Sequence, residues 1–407
     1  MTAEILIMNK NAIALAADSA VTIGNEKTYN GVNKLFMLSN NPPMGIMIYG
    51  VSEFLGLPFE TLIKEYREQA DFNKNNSVKK VTLDFLDFLE KYMNIYVPDY
   101  NNFIGLIVDL FQKKFELLYN NKDNSNLKNS MFNILKTVAL NVDDYTFKKF
   151  IDNNYFNDIP GDIFNKIYDD LFRDYEKDLI IDLLYKMFIN TLPCTGIVIA
   201  GFNNGELYPS FMEINIFGVL NDEIIAVSMP SKSNCSTALI KPFAQRDVID
   251  NFLTGMDKNV DLTLRNFLTE VLNLYPKTMR NIINENTNLT DDLKNELIES
   301  INNTANANNI VLNTFDNLME VIKNESLHPI LDSVNALPKD ELGGMCESLI
   351  NLTSLRRKVD ANLMSVGGDI DVAVISKNDG FVWVKRKHYF DKEFNPQFFN
   401  RKKYNNI

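Results

Sequence analysis

Residues 1–19 read MTAEILIMNKNAIALAADS, and this stretch decides how the rest of the chain is read. Ala3 to Met8 and Ala12 to Asp18 are short apolar runs separated by the turn NKN, the signature of paired strands. Lys34 to Leu38 and Met44 to Tyr49 continue the pattern after the turns IGNEK and SNNPP, so the sequence predicts a β-meander up to about residue 50.

From Glu53 to about Asn190 the period changes. VKKVTLDFLDFLEKYM (78–93) and FNKIYDDLFRDYEKDLIIDLLYKMF (164–188) carry apolar residues at spacings of three and four, which predicts amphipathic helices. A second β block runs from Gly196 to Ser228 in GIVIAGF, LYPSFMEINIFG and EIIAVSM. The stretch STALIKPFAQRDVIDNFLTGM (236–256) is read as the start of a helix, and Asn-rich helical segments continue to about Asn335. A last helix, Lys339 to Lys358, leads into the hairpin DIDVAVIS, KNDG, FVWVKRK. Strands, helices, strands, helices, strands suit an α+β arrangement of two sheets packed face to face and covered by helices on both outer sides. One domain over 1–407, with helical insertions at about 95–190 and 256–335, explains the order better than three domains. Strands grouped as hairpins argue for antiparallel sheets over a doubly wound parallel one.

Composition narrows the chemistry. The chain has 407 residues, 45% of them hydrophobic, and a net charge of −12, which argues against a protein that tracks nucleic-acid phosphates. Three cysteines, Cys194, Cys235 and Cys346, are too few and too scattered for a disulfide framework or a CxxC metal site. The N-terminal stretch has neither a basic leader nor an unbroken apolar run, so no signal peptide or membrane span is expected and the cytoplasm is the expected location. Only His328 and His388 exist, so a base other than imidazole is expected in any catalysis. No metal and no cofactor is expected, and no GxxxxGK[ST] loop is present, so any ATPase would be a separate chain.

The candidate chemistry centres on Thr2. Removal of Met1 would leave a hydroxyl and an α-amine on one residue, and an amine of ordinary pKa near 7.7 to 8.0 accepts a proton at neutral pH without histidine. Asp18 follows sixteen residues after Thr2 and Lys34 thirty-two, each at the end of a predicted strand. A lysine near a nucleophile depresses the pKa of the amine and hydroxyl, and an aspartate can hold that lysine in place.

Thr2, ALAADS (14–19) and the strand KLF (34–36) resemble, in type, order and spacing, the proteasome β-subunit and HslV-type peptidase family. The resemblance covers roughly residues 2–66, 195–255 and 337–387. It implies a proteasome-like N-terminal nucleophile hydrolase fold, the four-layer αββα sandwich. It also implies roles: Thr2 as nucleophile and base, Lys34 tuning its pKa, Asp18 orienting Lys34, and Gly50 in MIYGV giving an oxyanion N–H. Thr22 would pair with an extended peptide, and Ser365, before the double glycine of MSVGGD, would bond the Thr2 amine. Val21, Val32 and Ile48 would line an apolar specificity pocket. The resemblance departs from the family at Asn362, where an aspartate is usual, and at FAQRD (243–247), which stands in place of a glycine-serine loop.

The function this implies is hydrolysis of peptides or unfolded protein through a Thr2 acyl-enzyme inside a self-assembled homo-oligomeric ring, with a separate ATPase unfoldase as a candidate partner. Two alternatives stand beside it: a small-amide hydrolase with the same nucleophile, and a catalytically silent scaffold or binding subunit.

Overall fold

A computed structural model describes residues 2–23, 27–74, 77–93, 165, 167–191, 194–220, 223–229, 238–302, 305–359 and 366–398. It is a mixed α/β structure built on antiparallel sheets. The first sheet has the order β12-β1-β2-β13-β14, comprising Leu239–Ala244, Ala3–Met8, Ala12–Ala17, Asp371–Ser376 and Gly380–Lys385. The second has the order β11-β10-β9-β6-β5, comprising Glu223–Met229, Pro209–Leu220, Thr195–Phe202, Pro43–Gly50 and Leu35–Asn40.

The predicted meander is therefore split. β1 and β2 pair with each other, but β5 and β6 belong to the other sheet, and the chain crosses over through a small hairpin, β3 (Ala20–Ile23) and β4 (Lys27–Asn30). A further two-strand ribbon, β7 (Glu53–Phe54) and β8 (Leu57–Pro58), precedes the first helix. The expected helix at 236–256 is also corrected: residues 239–244 are strand β12, paired antiparallel with β1 from Leu239↔Met8 to Ala244↔Ala3. LIKPFA has no strong helix period, and Pro242 is tolerated because β12 is an edge strand. The helix begins only at α4 (Asp247–Thr254).

Alternation along β1 explains how the sheets are covered. Ala3, Ile5 and Ile7 join a buried cluster with Ala12, Ala14 and Ala16 of β2 and with Leu342, Cys346, Leu349 and Ile350. Those last four lie at helical spacing on α8 (Lys339–Val359), which has Asp340 and Glu341 in its first turn and Arg356, Arg357 and Lys358 in its last, charges that complement the helix dipole. The alanines let α8 approach closely, and the Cys346 thiol donates to the Ala14 carbonyl at 3.6 Å. Leu6 and Met8 point the other way, into a cluster with Leu15 of β2 and with Met47, Val198 and Phe211 from the facing sheet. The far face of the second sheet buries Ile46, Ile48, Ile197 and Ile199 against Phe59, Tyr66, Phe85 and Phe88 of α1 (Phe59–Gln69) and α2 (Val78–Met93). Tyr66 locks those two helices by donating to the Val81 carbonyl at 3.2 Å and to Asp84 at 2.9 Å.

Of the two expected insertions, residues 94–164 and 166 lie outside the described residues. A π-helical turn (Tyr168–Phe172) and α3 (Lys177–Thr191) follow them. The second insertion contains α5 (Lys258–Glu285), α6 (Asp291–Asn302) and α7 (Ala305–Ala336). α7 joins it to the core through Val334, which is buried with the α8 cluster.

One cross-strand pair fixes the centre of the second sheet. Tyr49 lies opposite Gly196, where a Cβ would meet the Tyr49 ring 1.8 Å away, so the ring occupies the space a side chain would fill. Gly196→Ala must displace that ring, and a loss of about 1–3 kcal/mol in unfolding free energy is expected from denaturant titration.

Candidate active site

Thr2 and the two charged residues singled out beside it are buried together at one end of β1: Thr2 is 6% exposed, Asp18 1% and Lys34 4%. Asp18 closes β2, and its backbone N–H donates to the Ala3 carbonyl at 3.1 Å. Its side chain returns the contact, one carboxylate oxygen accepting from the Ala3 N–H at 3.2 Å and from the Lys34 ammonium at 2.6 Å. The other oxygen accepts the Gly367 N–H at 3.1 Å. Lys34, just before β5, also donates to the Ala20 carbonyl at 2.5 Å. One carboxylate thus ties the residue after Thr2, the lysine of the facing sheet and the loop before β13 into a charge-assisted network.

The Thr2 carbonyl accepts the Gln245 N–H at 3.0 Å, which extends the β1–β12 ladder by one bond and anchors the threonine from its other side. Gln245 is in turn held by Arg357 of α8, whose Nε donates to the Gln245 side-chain oxygen at 2.9 Å. Gln245 is the central residue of FAQRD, so the segment that departs from the family pattern is the one that grips Thr2.

The other residues singled out by sequence fall in different places. Gly50 ends β6 with φ +84, and a Cβ there would meet the Cys194 carbonyl at 2.1 Å, so backbone conformation and space both demand glycine. Val21 and Val32 are half-buried around β3 and β4, and the Gly31 and Val32 N–H groups both donate to the Ser19 carbonyl, at 3.0 and 3.2 Å. Thr22 lies on β3 in register with Thr28. The Ile48 N–H donates to the Lys34 carbonyl at 2.9 Å, while its side chain faces α1 and α2, since its neighbours Met47 and Tyr49 face the layer between the sheets. Ser365 and Asn362 lie outside the described residues, as does Cys235. Gly368 adopts φ +74 with its Cα against the Ser19 hydroxyl, where a Cβ would come within 2.4 Å.

The sequence reading missed Glu4. It is 0% exposed, and neither carboxyl oxygen has a hydrogen-bond partner. Burial pushes its pKa well above the usual carboxylate range, with Lys34 opposing the shift and Asp18 adding to it. The signal was available: a glutamate interrupts an otherwise apolar strand, AEILIM. A second polar cluster lies between the sheets, where the Tyr49 hydroxyl donates to Glu213 at 2.6 Å and the Lys241 ammonium pairs with the other Glu213 oxygen at 2.5 Å. Cys194 nearby is raised to about 11 by burial and by Glu213, so it is a neutral thiol at physiological pH. Among the described residues no group of three or more His, Cys, Asp or Glu could hold a metal ion, and no helix is long and apolar enough to cross a membrane.

Comparison with known proteins adds a distant likeness. No family model matches the chain, and no curated protein matches it. Among solved structures, Anbu (ancestral beta-subunit) from Yersinia bercovieri is similar at 9% identity and a TM-score of 0.36, over 99% of this chain and 97% of that one. The structure titled helical assembly of the Anbu complex from Pseudomonas aeruginosa is similar at 10% identity and a TM-score of 0.34, over 98% and 93%. These values carry no argument about function, and they correct the family placement read from the sequence. Matching Thr2, Asp18 and Lys34 in type and spacing is too short a signature to assign a 407-residue chain to the proteasome β-subunit and HslV-type family when no family model matches it.

Two outcomes follow from the buried charges. Lys34→Met leaves Asp18 charged and unpaired and is expected to cost about 3–5 kcal/mol, much of it recovered in the Asp18→Asn/Lys34→Met double variant, as read by urea unfolding. Glu4 has a folded pKa above its unfolded value, so its stabilising contribution is present while it is protonated and is lost as pH rises above the ordinary glutamate range. Denaturant midpoints of the native protein should therefore decline over that window relative to Glu4→Gln, in which this component is absent.

Proposed function

We propose that the chain is an N-terminal nucleophile hydrolase of amide bonds, with Thr2 acting once the residue before it has been removed. The observation that carries the reading is the buried Asp18–Lys34 ion pair, at 2.6 Å, bonded to the backbone of the residue next to Thr2. The three hydrophobic layers described above support a four-layer αββα arrangement within one domain, elaborated by α3 and by α5, α6 and α7 among the described residues.

In this reading the Thr2 Oγ attacks the substrate carbonyl carbon while its proton passes to the α-amine. The amide C–N bond breaks, the leaving amine takes the proton, and an ester to Thr2 remains. Water then attacks the ester, again giving its proton to the α-amine, and the acid departs as Oγ is reprotonated. The positive charge of Lys34 favours the neutral amine and stabilises negative charge developing on Oγ. Gly50 supplies an N–H to the oxyanion, a contribution typically of about 10²-fold or more in rate.

A peptide is the favoured substrate class, because β3 carries Thr22 and pairs only with β4 among the described residues, leaving one edge to receive an extended chain. Val21 and Val32 beside that edge would contribute apolar contacts. Self-association is part of the proposal, with the mass in solution by light scattering as its check.

Intact mass before and after a peptide epoxyketone tests the chemistry. Protein beginning at Thr2 should gain one adduct, and Thr2→Ala none. Absence of an adduct on chains whose mass proves that they begin at Thr2 would reject the nucleophile.

A further inference from the structure

Helix α5 is held to its neighbour by charges and turns an apolar side outward. The Arg265 Nε donates to Asp261 at 3.0 Å, and another guanidinium nitrogen pairs with Asp316 of α7. Lys323 of α7 reaches the second Asp261 oxygen at 3.4 Å, and the Arg265 guanidinium lies 5.4 Å from the centre of the Phe315 ring. This network fixes the rotation of α5, and it leaves Val260, Leu264, Phe267, Val271, Leu274 and Ile282 between 41% and 64% exposed.

The spacing of that stripe is informative. Leu264, Phe267, Val271 and Leu274 follow one another at three, four and three residues, the seam of a two-stranded coiled coil. Thr278 continues the seam, its hydroxyl satisfied within the helix by donating to the Leu274 carbonyl at 3.1 Å. Pro276 stands nine residues from Phe267, on the opposite face, so its ring stays clear of the seam. From Val260 to Ile282 the stripe is about 33 Å long, a continuous apolar surface of the kind that marks an interaction site.

Charge identifies what covers it. Between residues 259 and 284 the exposed charged residues are Glu270 and Lys277, seven apart and therefore on one flank of the seam. A second copy of α5 laid parallel would bring like charges level with each other. Laid antiparallel about residue 273, it sets Glu270 against Lys277 of the second copy, and the two-fold axis repeats the pair. The same rotation brings Val271 opposite Leu274, Phe267 opposite Thr278 and Leu264 opposite Ile282. Apolar stripe and flanking charges thus share one centre of symmetry, and the helix dipoles run in opposite directions, which is also favourable.

Resting on the self-association proposed above and on none of the Thr2 chemistry, we infer that α5 is a homodimerisation helix that pairs antiparallel with α5 of a second copy, centred near residue 273. The contact is isologous: each copy offers the same stripe and receives the same stripe.

The test is sedimentation equilibrium of the full chain, with denaturant midpoints as the check on folding. The native chain should associate in pairs. Leu274→Asp, at an exposed position, should weaken the pairwise step by about a hundredfold while leaving the midpoint unchanged. Lys277→Glu should weaken it by about tenfold, and Glu270→Lys/Lys277→Glu should restore it, since the swap returns opposite charges to each other. An unchanged association constant in Leu274→Asp overturns the inference and leaves self-association to another surface. A native chain that stays monomeric overturns both, without touching the nucleophile reading, which the adduct mass decides. A lowered midpoint in Leu274→Asp with a monomeric native chain would show that the stripe is covered from within the same chain, again overturning it. Failure of the double swap to restore association rejects the antiparallel pairing. If Leu274→Asp does not fold, the exposed charge pair decides the matter alone.

Discussion

Everything at the end of β1 depends on where the Asp18 carboxylate goes. A charge removed from water must be matched by donors, and Asp18 is matched by three that come from distant parts of the chain: the Ala3 amide, the Lys34 ammonium and the Gly367 amide. These contacts join two neighbouring strands, the facing sheet and the turn before β13. The requirement to satisfy one anion therefore sets the register of the first sheet and its spacing from the second at a single point. Hydrophobic packing alone would tolerate slippage there, since Ala14, Ala16 and Ala17 offer little side-chain relief to hold a register.

Much of this was legible in the residues. The apolar runs 3–8 and 12–17 and the final hairpin appear at the positions their composition indicates. Asp18 and Lys34 could be chosen because a charge at the end of an apolar strand is conspicuous. Which strands pair was not legible. That β2 is followed in space by β13, and that β5 lies in the other sheet, are long-range matters on which local pattern is silent. LIKPFA was misread because its neighbour, β1, supplies the hydrogen bonds that make it a strand and lies far away in sequence. The direction of the Ile48 side chain was not legible for a simpler reason: the parity of β6 is set by which sheet face meets α1 and α2, and that is a tertiary fact.

Glu4 shows the opposite failing. Its neighbours on the strand were read as a short apolar run, and the glutamate was passed over although it broke the pattern. A buried carboxyl without partners is a liability for folding, so its presence two residues from a candidate nucleophile carries more information than the apolar residues around it. Residues that raise the energy of the folded state without improving its packing are where chemistry is best sought.

The anchoring of Asp18 by Gly367 spans a sequence separation of 349 residues. At ordinary elongation rates, that stretch takes on the order of tens of seconds to synthesise on a ribosome. For all of that interval the nascent chain holds Thr2 without the turn that completes the aspartate's coordination and without β13, the strand that covers the outer edge of β2. The arrangement orders events in time. The segment around Thr2 cannot reach its finished environment until the 349 residues that separate Asp18 from Gly367 have been made, and a translation product truncated before Gly367 is left without the completed site.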